Sequence, residues 1–155
     1  MVSRQHAKNR REKGAFLAVP RVVIESKHYM RLSHLAIRLL FDLYVQYRGN
    51  NNGDLCAAWP IMKARGWRSS CSLFKAKQEL IRTGFIKVTR MGDRRRPNLY
   101  ALTFLAIDEC QGKLDCASTT TPPGDWKLDR VTLIESNSDS HRELYPDSQD
   151  SYHSL

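Results

Sequence analysis

The chain has 155 residues and is 41% hydrophobic, enough for one packed domain with its own core. Its formal net charge of +9 is unevenly divided: residues 1–107 hold 21 Lys/Arg against 6 Asp/Glu, a net of +15, and residues 108–155 hold 4 against 10, a net of −6. A basic body with an acidic tail favours a polyanionic partner, nucleic acid ahead of an anionic membrane surface, and no apolar run approaches the roughly 18 residues of a membrane span.

The first 13 residues (MVSRQHAKNRREK) are polar and basic with no apolar segment after them, so no signal peptide is expected. The four cysteines (Cys56, Cys71, Cys110, Cys116) include no C-x-x-C pair and are expected as free thiols in a reducing cytoplasm. Residues 1–13 are read as a disordered basic arm, of the kind that follows a phosphate backbone or enters a minor groove. From residue 14 to 31 the chain carries a broken apolar run in which Pro20 rules out a central strand. An extended lead-in is expected there, ending in one short helical turn over 22–26.

Residues 33–48 form the first full helix. Ser33 suits its N-cap, and apolar side chains occupy almost every position except Arg38, Asp42 and Gln46, four apart on one stripe. Leu35, Leu39, Leu40, Leu43, Tyr44 and Tyr47 are expected in the core, with the polar stripe structural in role. The turn-rich 49–53 (GNNNG) leads to a short strand over 54–58. Pro60 opens a second helix, 60–65, which buries Ile61 and Met62 and ends at Gly66. Trp67 is assigned to the core.

A third helix is expected over 70–83, ended by Gly84, which tolerates the left-handed C-cap conformation. On a helical wheel Leu73, Phe74, Ala76, Leu80 and Ile81 cluster on one side, with Cys71, Ser72, Lys75, Gln78, Glu79 and Arg82 opposite. Lys77 falls on the apolar arc and must extend its charge to the domain edge. Two β-type runs follow, 85–90 and 98–104, closed by a tight turn at Gly92-Asp93, with Arg94, Arg95 and Arg96 beside the loop tip and Arg90 across from them. Three adjacent cations repel one another and serve folding poorly, but they suit a phosphate clamp.

Beyond the hairpin, 108–135 is a linker or extension, Thr/Pro-rich over 113–127, in which Trp126 can fold back onto the body; a short strand is possible over 131–134. Residues 136–155 are Ser/Asp-rich and read as a disordered acidic tail able to compete with nucleic acid for the basic face. The expected fold is therefore α+β: a winged helix-turn-helix of three helices and a small antiparallel sheet over 14–107, between the basic arm and the acidic tail.

The span from about residue 16 to 105 resembles the winged-helix domain of phage replication proteins of the replication protein O and replisome-organiser type, and prophage- or plasmid-borne winged-helix proteins of unassigned role. The resemblance rests on Phe16 with Val19-Pro20, Leu32-Ser33, Asn51-Asn52-Gly53-Asp54-Leu55, Gly66-Trp67-Arg68-Ser69, Ala76 with Glu79-Leu80, and Thr83-Gly84-Phe85-Ile86. It implies double-stranded DNA as partner, a part in replication initiation or transcriptional regulation, and contact with replication or transcription proteins.

The residues expected on DNA are Arg68, Ser70, Ser72, Lys75, Gln78 and Arg82 of the recognition helix, with Arg90, Arg94, Arg95 and Arg96 of the wing (about 90–97). Lys, Gln, Arg and Ser bond both phosphates and base edges. No catalytic activity, metal or cofactor is expected. The six acids of the basic body stand singly, the five histidines lack metal spacing, and no Gly-rich phosphate loop occurs. The competing expectation is a winged-helix interaction module that binds protein without reading DNA. The sequence leaves monomer and homodimer open.

Overall fold

The computed structural model describes residues 14–128. The expected basic arm (1–13), the strand at 131–134 and the acidic tail (136–155) lie outside the described residues. The order of elements is α1 (Arg21–Ile24), α2 (Lys27–Met30), α3 (His34–Tyr44), β1 (Leu55–Cys56), α4 (Trp59–Ala64), α5 (Ser70–Arg82), β2 (Ile86–Arg90) and β3 (Leu99–Leu102), followed by two 3-10 turns at Cys110–Gly112 and Asp125–Lys127. Over the described residues the class is α+β, with five α-helices and one three-stranded antiparallel sheet of order β1-β3-β2. Among the described residues no helix is long and apolar enough to cross a membrane.

Two short helices replace the single turn expected in the lead-in. Pro20 precedes α1 with extended φ/ψ, and Ser26 starts a new helix by accepting the Tyr29 amide on its hydroxyl. Ser33 and Ser69 cap α3 and α5 in the same way, through the amides of Ala36 and Ser72. Glycines end α4 and α5. At each end the amide two residues past the cap bonds back five residues, Trp67 to the Met62 carbonyl and Phe85 to Leu80, and the Gly66 and Gly84 amides bond to Lys63 and Ile81. Both glycines have positive φ, the left-handed geometry that a helix C-terminus of this type requires.

The core lies between α3, α5 and the sheet. Leu39, Leu40 and Leu43 of α3 meet Leu73, Ala76 and Leu80 of α5, with Met62, Trp67, Phe85, Ile86 and Leu102 closing the sides. Each such Leu or Phe contributes about 2 kcal/mol on burial, whereas an exposed pair such as Arg21–Glu25 is worth less than about 1 kcal/mol. Packing, not surface charge, therefore holds the helices together. Three residues expected in the core are instead half-exposed: Leu35 and Ile61 at 42% and Phe74 at 56%. Leu35 lies in the first turn of α3, and Ile61 and Phe74 lie beside the buried residues of α4 and α5 without reaching the core themselves.

β3 is the central strand, buried along its length, pairing Leu55 with Tyr100 on one edge and Ile86 with Leu102 on the other. The expected strand over 54–58 is thus two residues long and ties the hairpin to the body. A register shift between Val88 and Arg90 turns Thr89 inward, where its hydroxyl donates to the Gly53 carbonyl at 2.6 Å.

Of two further features, the buried Asn52 was not expected, whereas Trp126 folds back onto the body as the sequence suggested. Asn52, read as a turn residue, is fully buried. Its side-chain amide donates to the Leu102 and Ala106 carbonyls at 2.9 and 2.8 Å, and its carbonyl oxygen accepts the Leu102 amide at 2.8 Å. It thereby replaces a strand where the sheet ends. Residues 108–128 are an extension packed on the body. Trp126 is buried and stacks on Phe85 with ring centroids 5.9 Å apart. The Asp125–Trp126 backbone crosses so close to Gly84 that a Cβ there would stand 2.5 Å from the Asp125 carbonyl oxygen. Cys110 and Trp126 are the buried apolar residues of this extension.

Candidate nucleic-acid interface

α5 is held by α3. Glu79, expected on the outward face, turns back to α3 and accepts the Ser33 amide at 2.7 Å and the Ser33 hydroxyl at 2.6 Å. With that carboxylate engaged, Cys71, Lys75, Gln78 and Arg82 remain of the outward side chains expected on α5, all exposed and none acidic. Ser70 is exposed at the helix start and Ser72 is half-buried beside it. Lys77, as expected, lies at the margin of the core; burial pushes its ammonium below the ordinary lysine value, so it belongs to the fold and not to this face.

The turn entering α5 is anchored from beneath. Trp67 is buried and its indole N–H donates to Asp42 Oδ2 at 2.8 Å, while Arg65 Nε donates to Oδ1 at 2.7 Å. Arg38, one turn before Asp42 on α3, lies 5.1 Å over the Trp67 ring and donates to the Arg65 carbonyl at 2.9 Å. The expected structural role of the α3 polar stripe is what these bonds show, and Gln46 extends it by bonding the backbone of Cys56. The anchored turn leaves Arg68 exposed at the mouth of an open concavity of about 430 Å3 between α3 and the start of α5.

The hairpin loop is also ordered by one acid. Asp93 Oδ1 accepts the amides of Arg95 and Arg96 at 2.7 and 2.9 Å, and the Asp93 amide donates to the Arg96 carbonyl at 2.8 Å. The turn therefore runs over 93–96 and not at Gly92-Asp93. The amides of Arg95 and Arg96, then the nearby Arg96 and Arg90 charges, hold the Asp93 carboxyl below its ordinary value. Gly92 is needed for a close approach: a Cβ there would collide with the backbone of Arg96 and Asn98. Arg94, Arg95 and Arg96 are exposed. Arg90 is withdrawn, half-buried, with its guanidinium donating to the Pro97 carbonyl at 3.2 Å, so it braces the loop instead of presenting a charge.

The ten expected residues thus form two cationic groups. One is the outward face of α5 with Arg68; the other is the loop at the far end of β2. Five residues of β2 separate them, roughly 16 Å of strand. Among the described residues no carboxylate pairs with Arg68, Lys75, Arg82, Arg94 or Arg95.

One residue on this face was misassigned from sequence. Phe74 borders an open concavity of about 550 Å3 along α5, shared with Lys75, Gln78, Glu79, Ile81 and Arg82. Its position four residues before Gln78 was the available signal. Among the described residues no three His, Cys, Asp or Glu side chains converge as a metal site would require. Comparison with protein-family models, curated proteins and solved structures returned no match for this chain.

Proposed function

We propose that this chain is a winged helix-turn-helix protein that binds double-stranded DNA. In this reading α5 enters the major groove and the 93–96 loop lies on the neighbouring phosphate backbone, in replication initiation or transcriptional regulation of a phage or plasmid type. The order helix, strand, two helices and hairpin (α3, β1, α4, α5, β2–β3) supports the fold assignment. One observation carries the function: Glu79 is drawn off to cap α3, so the exposed face of α5 offers Lys, Gln and Arg with no acid among them.

Such a face matches what DNA presents. Lys75 and Gln78 stand one turn apart in the first two-thirds of α5, the part that meets base edges, and Arg82 lies farther along at phosphate level. Gln pairs bidentately with adenine and Lys bonds guanine, each worth about 1–3 kcal/mol of discrimination.

The test is binding of Lys75→Ala and Gln78→Ala to a duplex selected from a random library and to its single-base variants. Each replacement should abolish preference at one or two adjacent base pairs, leaving random-DNA affinity and the melting temperature near those of the parent. Parental discrimination by both variants would remove α5 as the reading helix.

A further inference from the structure

We infer that Phe74 reads a thymine methyl group, so that the target contains a thymine within two base pairs of the position Gln78 contacts. This rests on the DNA-binding reading above and deepens it. The side chain is 56% exposed, on the flank of the cationic face of α5 that also carries Ile81. It lies in the concavity with Lys75 and Gln78 beside it and half-buried Ile81 two turns on.

The chemistry of that concavity selects its occupant. An aromatic ring beside Lys75 and Arg82 suits a surface that is anionic overall but carries small apolar groups. The thymine C5-methyl is the apolar group of the DNA major groove, and Phe is among the side chains that contact it. Geometry places it near Gln78. Phe74 and Gln78 are four residues apart, about 6 Å along the helix axis, and base pairs of one strand follow each other at about 3.4 Å. A glutamine on adenine and a phenylalanine on a thymine one or two pairs away are therefore compatible.

The experiment replaces each thymine of the selected duplex in turn by deoxyuridine, which removes only the methyl, and titrates the full chain and Phe74→Ala against each duplex. For the parent, removal of the methyl at one or two adjacent positions should weaken binding about four-fold, the value of one buried methyl group. Phe74→Ala should bind the thymine and uracil duplexes alike, with unchanged melting temperature and random-DNA affinity. The inference is overturned if the parent tolerates every replacement, if Phe74→Ala keeps the methyl preference, or if the selected site has no thymine within two pairs of the Gln78-dependent position. In those cases salt-dependent duplex binding still stands. Absence of any saturable duplex binding would instead remove the underlying reading and this inference with it.

Discussion

Replacing Asp42 by Ala should destabilise the protein by about 3 kcal/mol, the largest effect of any single side chain on the turn that presents Arg68. Asp42 is 7% exposed, and its carboxylate accepts two hydrogen bonds under 3 Å, from Arg65 and Trp67. The two are not equal. Arg65 is 39% exposed at its side chain, so water replaces its lost partner and that pair contributes little. The Trp67 indole N–H is buried and would be left without an acceptor, at the cost of a desolvated donor. Arg38, whose Nε is 3.8 Å from the carboxylate, would also lose a reason to lie over the Trp67 ring. Asp42→Asn keeps an acceptor and should cost less than half as much. Urea denaturation of both variants decides the matter; a loss below about 1 kcal/mol for Asp42→Ala would mean that packing of Trp67 alone anchors the turn.

The second large effect is on binding. Replacing Arg94, Arg95 and Arg96 together by Ala should weaken specific and random duplexes alike, on the order of 100-fold at 0.1 M salt, and reduce the salt slope by about 2.7. These side chains are exposed on a loop whose backbone Asp93 and Gly92 hold independently of them, so the fold should not change. Cations on a loop tip meet phosphates, which carry no sequence information. A triple variant that keeps random binding yet loses its selected site would show that the loop reads bases. Fluorescence anisotropy on labelled duplexes across a salt series separates the two results.

What was legible in the sequence was local. Ser33 as a cap, Gly66 and Gly84 as stops, and the apolar runs of β2 and β3 depend on neighbours within a few residues, where propensity and periodicity act directly. Trp67 was placed in the core because of its size alone. Several misses were set by distant contacts. Asn52 bonds residues 50 to 56 positions away, and nothing in the run GNNNG separates it from Asn50 or Asn51. Glu79 sits on the polar arc of its own helix, but Ser33, 46 residues earlier, fixes its direction. Phe74 fell at the edge of the apolar arc, and the wheel cannot tell that α5 buries only the side carrying Leu73, Ala76 and Leu80. The candidate site was legible as a list of cations; that Arg90 is a brace and Phe74 a surface residue required the tertiary structure.

The most direct measurement is a titration of the full chain with duplex DNA from about 50 to 300 mM salt. If about six of the exposed basic side chains meet phosphates, log K falls against log salt with a slope near −5, and binding is saturable at every point. A chain that shows no saturable binding to duplex DNA at physiological salt, or an affinity indifferent to salt, would contradict DNA binding and favour a protein-binding role for the same face.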